Sequence, residues 1–108
     1  MLEVMVNGCY GKMGQIVCDL IEQNENLVLK CGFDKNITGE FAFPVYDKIE
    51  NIVEKPDVII DFSIPVATLT ILQYAVSNHV PIVIATTGFT NEEELIIKEA
   101  SKKIPIFK

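Results

Sequence analysis

Apolar positions fall into short runs separated by polar breaks, and the spacing inside the runs switches between two periods. Leu2–Asn7 is a short, mostly apolar run that predicts a strand. Gly8–Gly14 follows as a turn with three glycines, and Gln15–Glu25 then carries Ile16, Val17, Leu20 and Ile21 at helical spacing. Asn24–Asn26 punctuates the end of that helix. Leu27–Phe33 predicts a second strand, and Asp34–Glu40 a loop containing Asn36 and Gly39. Phe43–Tyr46 reads as a short strand that Pro44 confines to a sheet edge. Asp47–Glu54 puts Ile49, Ile52 and Val53 on one face of a short helix, which Lys55-Pro56 stops.

The second half repeats the alternation. Asp57–Phe62 holds Val58, Ile59 and Ile60 in a row, a strand expected to be buried on both faces as in parallel sheets. Ile64-Pro65 opens a helix to about Asn78, with proline in the first turn where its missing N–H costs nothing. Val80–Ala85 predicts another buried strand. Thr90 or Asn91 caps a helix whose first turn holds Glu92, Glu93 and Glu94. Ile104–Phe107 predicts a last strand. Strands alternating with helices in this way indicate an α/β fold, a doubly wound, mostly parallel sheet with helices on both faces. Ligands on such sheets bind at the carboxyl ends of the strands, near the point where strand order reverses.

Composition narrows the classes. A chain of 108 residues with 49% apolar and 22% charged residues is expected to form one globular domain with no need of a metal or disulfide. Net charge is −6 and arginine is absent, which argues against a nucleic-acid surface. The apolar runs are too short to span a bilayer, and Met1 leads directly into the first strand without a basic segment, so neither membrane nor signal peptide is expected. Cys9, Cys18 and Cys31 are odd in number and lack CxxC spacing, which points to free thiols and a reducing cytoplasm. Cys18 and Cys31 read as small buried hydrophobes. Cys9, in the glycine turn, could be exposed and activated by the helix start. The single histidine, His79, precedes a strand, so it is expected in a surface turn at the end of the sheet away from any ligand.

Gly8-Cys9-Tyr10-Gly11-Lys12-Met13-Gly14 is a G-x-x-G-x-x-G sequence between a strand and a helix, the context of a Rossmann-like dinucleotide-binding turn. A pyrophosphate needs backbone N–H groups aimed at it and no side chain in the way. Gly8 suits the tight turn, Gly11 the close approach of backbone to phosphate, and Gly14 close packing of the helix. Lys12 is the one cation in the turn and could pair with a phosphate. Asp34 falls at the end of the second strand, where an acid bonds the adenosine ribose hydroxyls. Lys35 beside it offers a point charge to a 2′-phosphate, so NADH and NADPH both stay open. Asp61-Phe62-Ser63-Ile64-Pro65 and Ala85-Thr86-Thr87-Gly88-Phe89 end the next two strands, where the nicotinamide half would rest. Asp61 alone also reads as an ordinary capping or strand-ending acid.

Taken together, the stretches Asn7–Gly14, Asp57–Pro65 and Ala85–Phe89 resemble the N-terminal, cofactor-binding domain of dihydrodipicolinate reductase (4-hydroxy-tetrahydrodipicolinate reductase), an enzyme of diaminopimelate and lysine biosynthesis. Their order and spacing extend the resemblance over essentially all 108 residues. The resemblance implies that Gly8, Cys9, Tyr10, Gly11, Lys12 and Met13 form the pyrophosphate loop. It implies that Asp34 and Lys35 face the adenosine ribose, that Phe62 and Ser63 border the nicotinamide ribose, and that Ala85, Thr86 and Thr87 line the nicotinamide. Lys12 stands where the family commonly has arginine, which forgoes a bidentate phosphate contact, and Ala85 where glycine is common. Family members are considerably longer. The resemblance therefore implies that the domain binding the small dicarboxylate substrate, and supplying a His and a Lys for proton transfer, lies outside these residues. This chain alone would then bind cofactor without reducing substrate, and the full-length enzyme would be a homo-oligomer. Other readings that the residues allow are a freestanding nucleotide- or CoA-sensing module, a silent oligomerisation domain, and the cofactor domain of another NAD(P)-dependent dehydrogenase.

Overall fold

The computed structural model describes residues 1–37, 39 and 41–108. The described strands are β1 (Leu2–Asn7), β2 (Leu27–Phe33), β3 (Val45–Tyr46), β4 (Val58–Asp61), β5 (Ile82–Ile84) and β6 (Ile106–Phe107). The described helices are α1 (Lys12–Glu22), α2 (Pro65–Asn78) and α3 (Asn91–Ala100). All six strands join one sheet in the order β3-β2-β1-β4-β5-β6, and every neighbouring pair is parallel. The chain builds outward from β1 in one direction through β2 and β3, then returns to build the other side from β4. The reversal lies between β1 and β4, where the loops leaving the two strands diverge and open a crevice.

The two-residue period of β1 sorts its side chains onto two cores. Val4 and Val6 pack with Cys18 and Ile21 of α1 on one face. Met5 points to the other face and joins Ile59 of β4, Ile82 and Ile84 of β5, Ile71, Leu72 and Ala75 of α2, and Ile97 and Ala100 of α3. The sheet is thus covered by helices on both sides, as the alternation of elements predicts. Ile59 is fully buried at the centre of the larger core, a position where truncation to alanine typically costs about 2–5 kcal/mol. Val58 and Ile60, its neighbours along β4, are partly buried against the smaller core.

Several elements differ in extent from the hydrophobic pattern. α1 begins at Lys12, inside the glycine stretch, because Gly11 is its extended N-cap (ψ 165°) and accepts from the Gln15 N–H at 2.9 Å. It ends at Glu22, and the Asn24 side chain then turns the chain by accepting from the Asn26 N–H at 2.8 Å. The expected helix at 47–54 is only a single 3-10 turn, Ile49–Asn51, with no side-chain cap, and Val53 points to solvent. The edge strand shortens to Val45–Tyr46; Pro44 donates nothing but its carbonyl accepts from the Gly32 N–H. β5 and β6 start later than predicted. The N–H groups of Val80 and Ile104 are taken by the carbonyls of Ala75 and Ala100, closing α2 and α3, so neither residue pairs with a strand although both are buried. Two residues of the expected 34–40 loop, 38 and 40, lie outside the described residues.

His79 is the C-cap of α2, exposed and in the left-handed region at φ 56°. It precedes β5 and lies at the end of the sheet opposite the crevice. No described helix is long and apolar enough to cross a membrane.

Candidate functional site

The crevice is built from the first residues after β1, β2, β4 and β5. Gly8 leaves β1 at φ 84°, a conformation side chains rarely adopt, and a Cβ there would lie 2.0 Å from the Phe62 carbonyl oxygen. Its N–H donates to Phe33 O at 2.8 Å, which ties the turn to β2. A Cβ on Gly14 would lie 1.9 Å from Gly8 O. Glycine at that position is what lets the first turn of α1 sit directly on the loop. The cradle is therefore backbone, held by contacts that a methyl group would destroy.

Two adjoining clefts open along these loops. One, of about 200 Å³, is lined by Gly8, Gly11, Asp34, Lys35, Phe62 and Ser63 together with Asn7, Phe33, Asn36, Ile64 and Ala67. The other, of about 240 Å³, is lined by Met13, Phe62, Ser63, Ala85, Thr86 and Thr87 with Ile64 and Pro65. They share Phe62, Ser63 and Ile64, so they form one groove across the carboxyl edge of the sheet. The groove brings together ten of the residues that sequence reasoning assigned to the cofactor.

Cys9, Tyr10 and Lys12 stand apart from the groove lining. Cys9 is fully buried, and its Sγ occupies the space a Cβ on Gly32 would need. Burial, reinforced by the nearby Cys18 and Asp34, pushes its thiol up to about 12. Of the two readings of Cys9, packing and an exposed, activated thiol, the structure supports packing: the side chain turns into the sheet. Cys18 and Cys31 are buried as expected, with thiols pushed up to about 11 and about 12, first by desolvation. The Tyr10 ring packs on Phe41 with centroids 4.8 Å apart, and its hydroxyl donates to Gly39 O at 2.6 Å, so it pins the loop after β2 to the glycine turn. Lys12 is exposed at the first position of α1.

Asp34 is partly buried, and its carboxylate accepts from two backbone donors, Tyr10 N–H and Asn36 N–H, each at 3.0 Å. One oxygen reaches the glycine turn and the other its own loop. The acid is thus placed beside the phosphate-type cradle, within the first cleft. α1 itself offers the cradle a positive dipole end: Gly11 supplies no side-chain cap and the first turn contains no acid.

At the far end of the groove lies a polar cluster that sequence reasoning did not single out as a unit. Asp61 is fully buried and accepts from Asn7 Nδ2 (2.9 Å), Ser63 Oγ (2.5 Å), Thr68 Oγ1 (2.5 Å) and Thr86 Oγ1 (2.9 Å). Thr86 Oγ1 in turn accepts from the Ser63 N–H at 2.8 Å. One carboxylate therefore ties β1, α2 and the loops after β4 and β5. The signal available in the sequence was parity: Asp61 shares the inward face of β4 with Ile59. Among the described residues no buried side-chain nitrogen or oxygen lacks a partner, and no group of three His, Cys, Asp or Glu could hold a metal ion.

Residues 2–108 match the family described as dihydrodipicolinate reductase, N-terminus. The 4-hydroxy-tetrahydrodipicolinate reductase of Caldanaerobacter subterraneus subsp. tengcongensis is 42% identical over 108 residues, which are all of this chain and 43% of that protein. The enzyme of the same name from Clostridium tetani is 37% identical over 108 residues, all of this chain and 42% of its own length. Among solved structures, dipicolinate-bound dihydrodipicolinate reductase from Paenisporosarcina sp. TG-14 superposes with a TM-score of 0.77 at 29% identity, covering 94% of this chain and 43% of that one. The pyrroline carboxylate reductase of Plasmodium falciparum with NADP bound shares the fold alone, with a TM-score of 0.64 at 10% identity, covering 96% of this chain and 38% of that one. The chain thus spans less than half the length of the curated relatives it matches, and over that span it belongs to the dihydrodipicolinate reductase family, N-terminal part.

Proposed function

We propose that residues 1–108 are the dinucleotide-binding domain of a 4-hydroxy-tetrahydrodipicolinate reductase, and that the groove takes NADH or NADPH. The observation that carries this reading is the glycine turn at Gly8 and Gly14, packed so closely that a Cβ at either would strike neighbouring backbone, set against an uncapped helix start and beside Asp34. The chemistry of this set fits a dinucleotide. Backbone amides and a helix dipole favour a pyrophosphate. A carboxylate favours ribose hydroxyls. Neutral hydroxyls and small residues at Ser63, Ala85, Thr86 and Thr87 leave room for an uncharged ring.

In this reading Gly8, Cys9, Tyr10, Gly11, Lys12 and Met13 form the loop around the pyrophosphate; the N–H groups of Gly8, Tyr10 and Gly11 are already given to Phe33 O, Asp34 and Gly8 O, so the first turn of α1 does the donating. Asp34 holds the adenosine ribose, and Lys35 would meet a 2′-phosphate. Phe62 and Ser63 border the nicotinamide ribose, while Ala85, Thr86 and Thr87 line the ring. When bound, a reduced nicotinamide supplies hydride-transfer chemistry, directed in the full-length enzyme at a cyclic imine or enamine to give tetrahydrodipicolinate. The residues of this chain bind and orient. The dicarboxylate substrate and the proton donor belong to parts of the enzyme outside residues 1–108, so this chain alone is expected to show no turnover. The activity serves diaminopimelate and lysine biosynthesis.

Fluorescence titration of the chain with NADH and NADPH tests the reading. Saturable binding with Kd at or below about 1 mM is expected. Asp34→Ala should weaken NADH by about tenfold or more, and coenzyme A, which has no free ribose diol, by distinctly less. Absence of binding at millimolar cofactor, or equal loss for both ligands, would overturn it.

A further inference from the structure

We infer that Asp61 is a positioning residue that sets the hydrogen-bonding polarity of the nicotinamide end of the groove, making Ser63 an acceptor toward the ligand. This rests on the dinucleotide reading. A hydroxyl has one proton and two lone pairs, so whichever group takes the proton decides what the hydroxyl offers elsewhere. Around Asp61 the distances decide. Ser63 Oγ lies 2.5 Å from Asp61 Oδ1, against 3.4 Å from the only carbonyl near it, Ile64 O, among the described residues. Thr68 Oγ1 lies 2.5 Å from Asp61 Oδ2, against 3.3 Å from Ile64 O. Thr86 Oγ1 already accepts from the Ser63 N–H, so its own proton goes to Asp61 Oδ2 at 2.9 Å. Oxygen–oxygen separations of 2.5 Å are short, as for hydroxyls donating to a carboxylate. The fourth partner, Asn7 Nδ2, also donates. Among the described residues no lysine forms an ion pair with Asp61. Its charge is met by four donors, and all three hydroxyl protons point inward.

The consequence falls on the ligand. Ser63 is partly exposed and lines both clefts. With its proton committed to Asp61 and one lone pair met by Asn7 Nδ2 at 3.3 Å, it has one lone pair left for the groove, with a carboxylate behind it. A ribose hydroxyl or a carboxamide N–H can donate to it. A phosphate or carboxylate oxygen placed there would meet lone pair against lone pair. The buried acid therefore disfavours an anion against Ser63 itself, whereas the uncapped start of α1 attracts one.

The test compares NADH with ADP, which carries the adenosine and phosphate groups but no nicotinamide ribose, in titrations of this chain. Asp61→Asn keeps the shape of the side chain but replaces an acceptor with an amide donor, so at least one hydroxyl proton must turn away. NADH binding is expected to weaken about tenfold while ADP changes less than about twofold. Ser63→Ala, which leaves Asp61 three donors, should reproduce the selective loss, and Ser63→Thr should recover most of it. Circular dichroism and thermal melts establish that each variant is folded. If Asp61→Asn does not fold, the Ser63 pair decides: selective loss in the alanine and recovery in the threonine variant support the assignment. An unchanged ratio of NADH to ADP affinity, whether both hold or both fall, overturns it. Wild-type chain that binds neither ligand overturns instead the dinucleotide reading beneath it.

Discussion

The starts of α1 and α3 are built from the same backbone and do opposite things with it. α3 is closed by its own side chains: Thr90 Oγ1 accepts from Glu93 N–H at 3.1 Å, Glu93 returns the bond to Thr90 N–H at 2.8 Å, and Glu92, Glu93 and Glu94 fill the first turn with negative charge. α1 has glycine at its cap, no acid in its first turn and a lysine at its first position. A helix that needs nothing but stability satisfies its free N–H groups locally. A helix that leaves them open gives up that stabilisation; α2, behind Ile64, does so as well, and the two open starts follow β1 and β4, the strands that flank the reversal. Location and chemistry agree, which neither the glycines nor the cap alone would have shown.

The largest expected effect comes from giving α1 what α3 has. Gly11 sits at φ −68° and ψ 165°, a backbone that aspartate adopts, although its Cβ would lie 3.2 Å from Gly8 O and the turn must give slightly. Gly11→Asp should therefore lower stability by about 1 kcal/mol or less, since glycine and aspartate are both tolerated caps. It should nevertheless weaken NADH binding by about 100-fold or more, because a carboxylate would stand where the pyrophosphate belongs. Retained binding in that variant would show that the α1 start is not the anion seat. The converse change, Thr90→Ala, should lower unfolding free energy by about 1 kcal/mol in a urea titration and leave cofactor affinity unmoved. A loss of affinity there would mean the two helix starts are coupled rather than independent.

A smaller effect concerns the thiol beside the open start. Cys9 is turned into the core, so native protein should react with Ellman's reagent at none of its three cysteines near neutral pH, and with all three in urea. The raised thiols also fix a sign for pH. Below the ordinary thiol value of 9.0 both folded and unfolded chains hold these protons and stability is unaffected. Above it the unfolded chain loses them first, so stability should fall from about pH 9 towards 12, as denaturant unfolding at successive pH values would report.

Much of the fold was legible because each strand carries its own signature. Val58-Ile59-Ile60 marks a central parallel strand, and the three glycines after β1 mark the turn. Element ends were not legible where a backbone N–H had two possible partners. Val80 and Ile104 are apolar and buried, yet they cap helices rather than extend strands. The 47–54 stretch has helical spacing, yet only Ile49–Asn51 closes a turn, without a side-chain cap, while Ile49 and Ile52 rest against the larger core. At the site, Gly8 and Asp34 could be placed from spacing alone, because the chemistry demands them at strand ends. The orientation of Cys9 could not, since alternation breaks down in a left-handed turn. Nor could the Asp61 cluster: Ser63 and Thr68 are near it in sequence, but Asn7 and Thr86 are distant and reach it only through strand order.

Asp34 carries a consequence for how the site forms. Its carboxylate already holds the amide of Tyr10, while the Tyr10 hydroxyl holds Gly39 in the loop beyond it. In the proposed reading, the adenosine and phosphate halves of the groove are therefore linked through Tyr10 before any guest arrives, which lowers the entropy lost on binding. An alanine at this position removes both a grip on the sugar and a clamp on the cradle. The penalty it shows will exceed the worth of the sugar contact, and part of it should surface even with inorganic pyrophosphate, a guest that has no sugar at all.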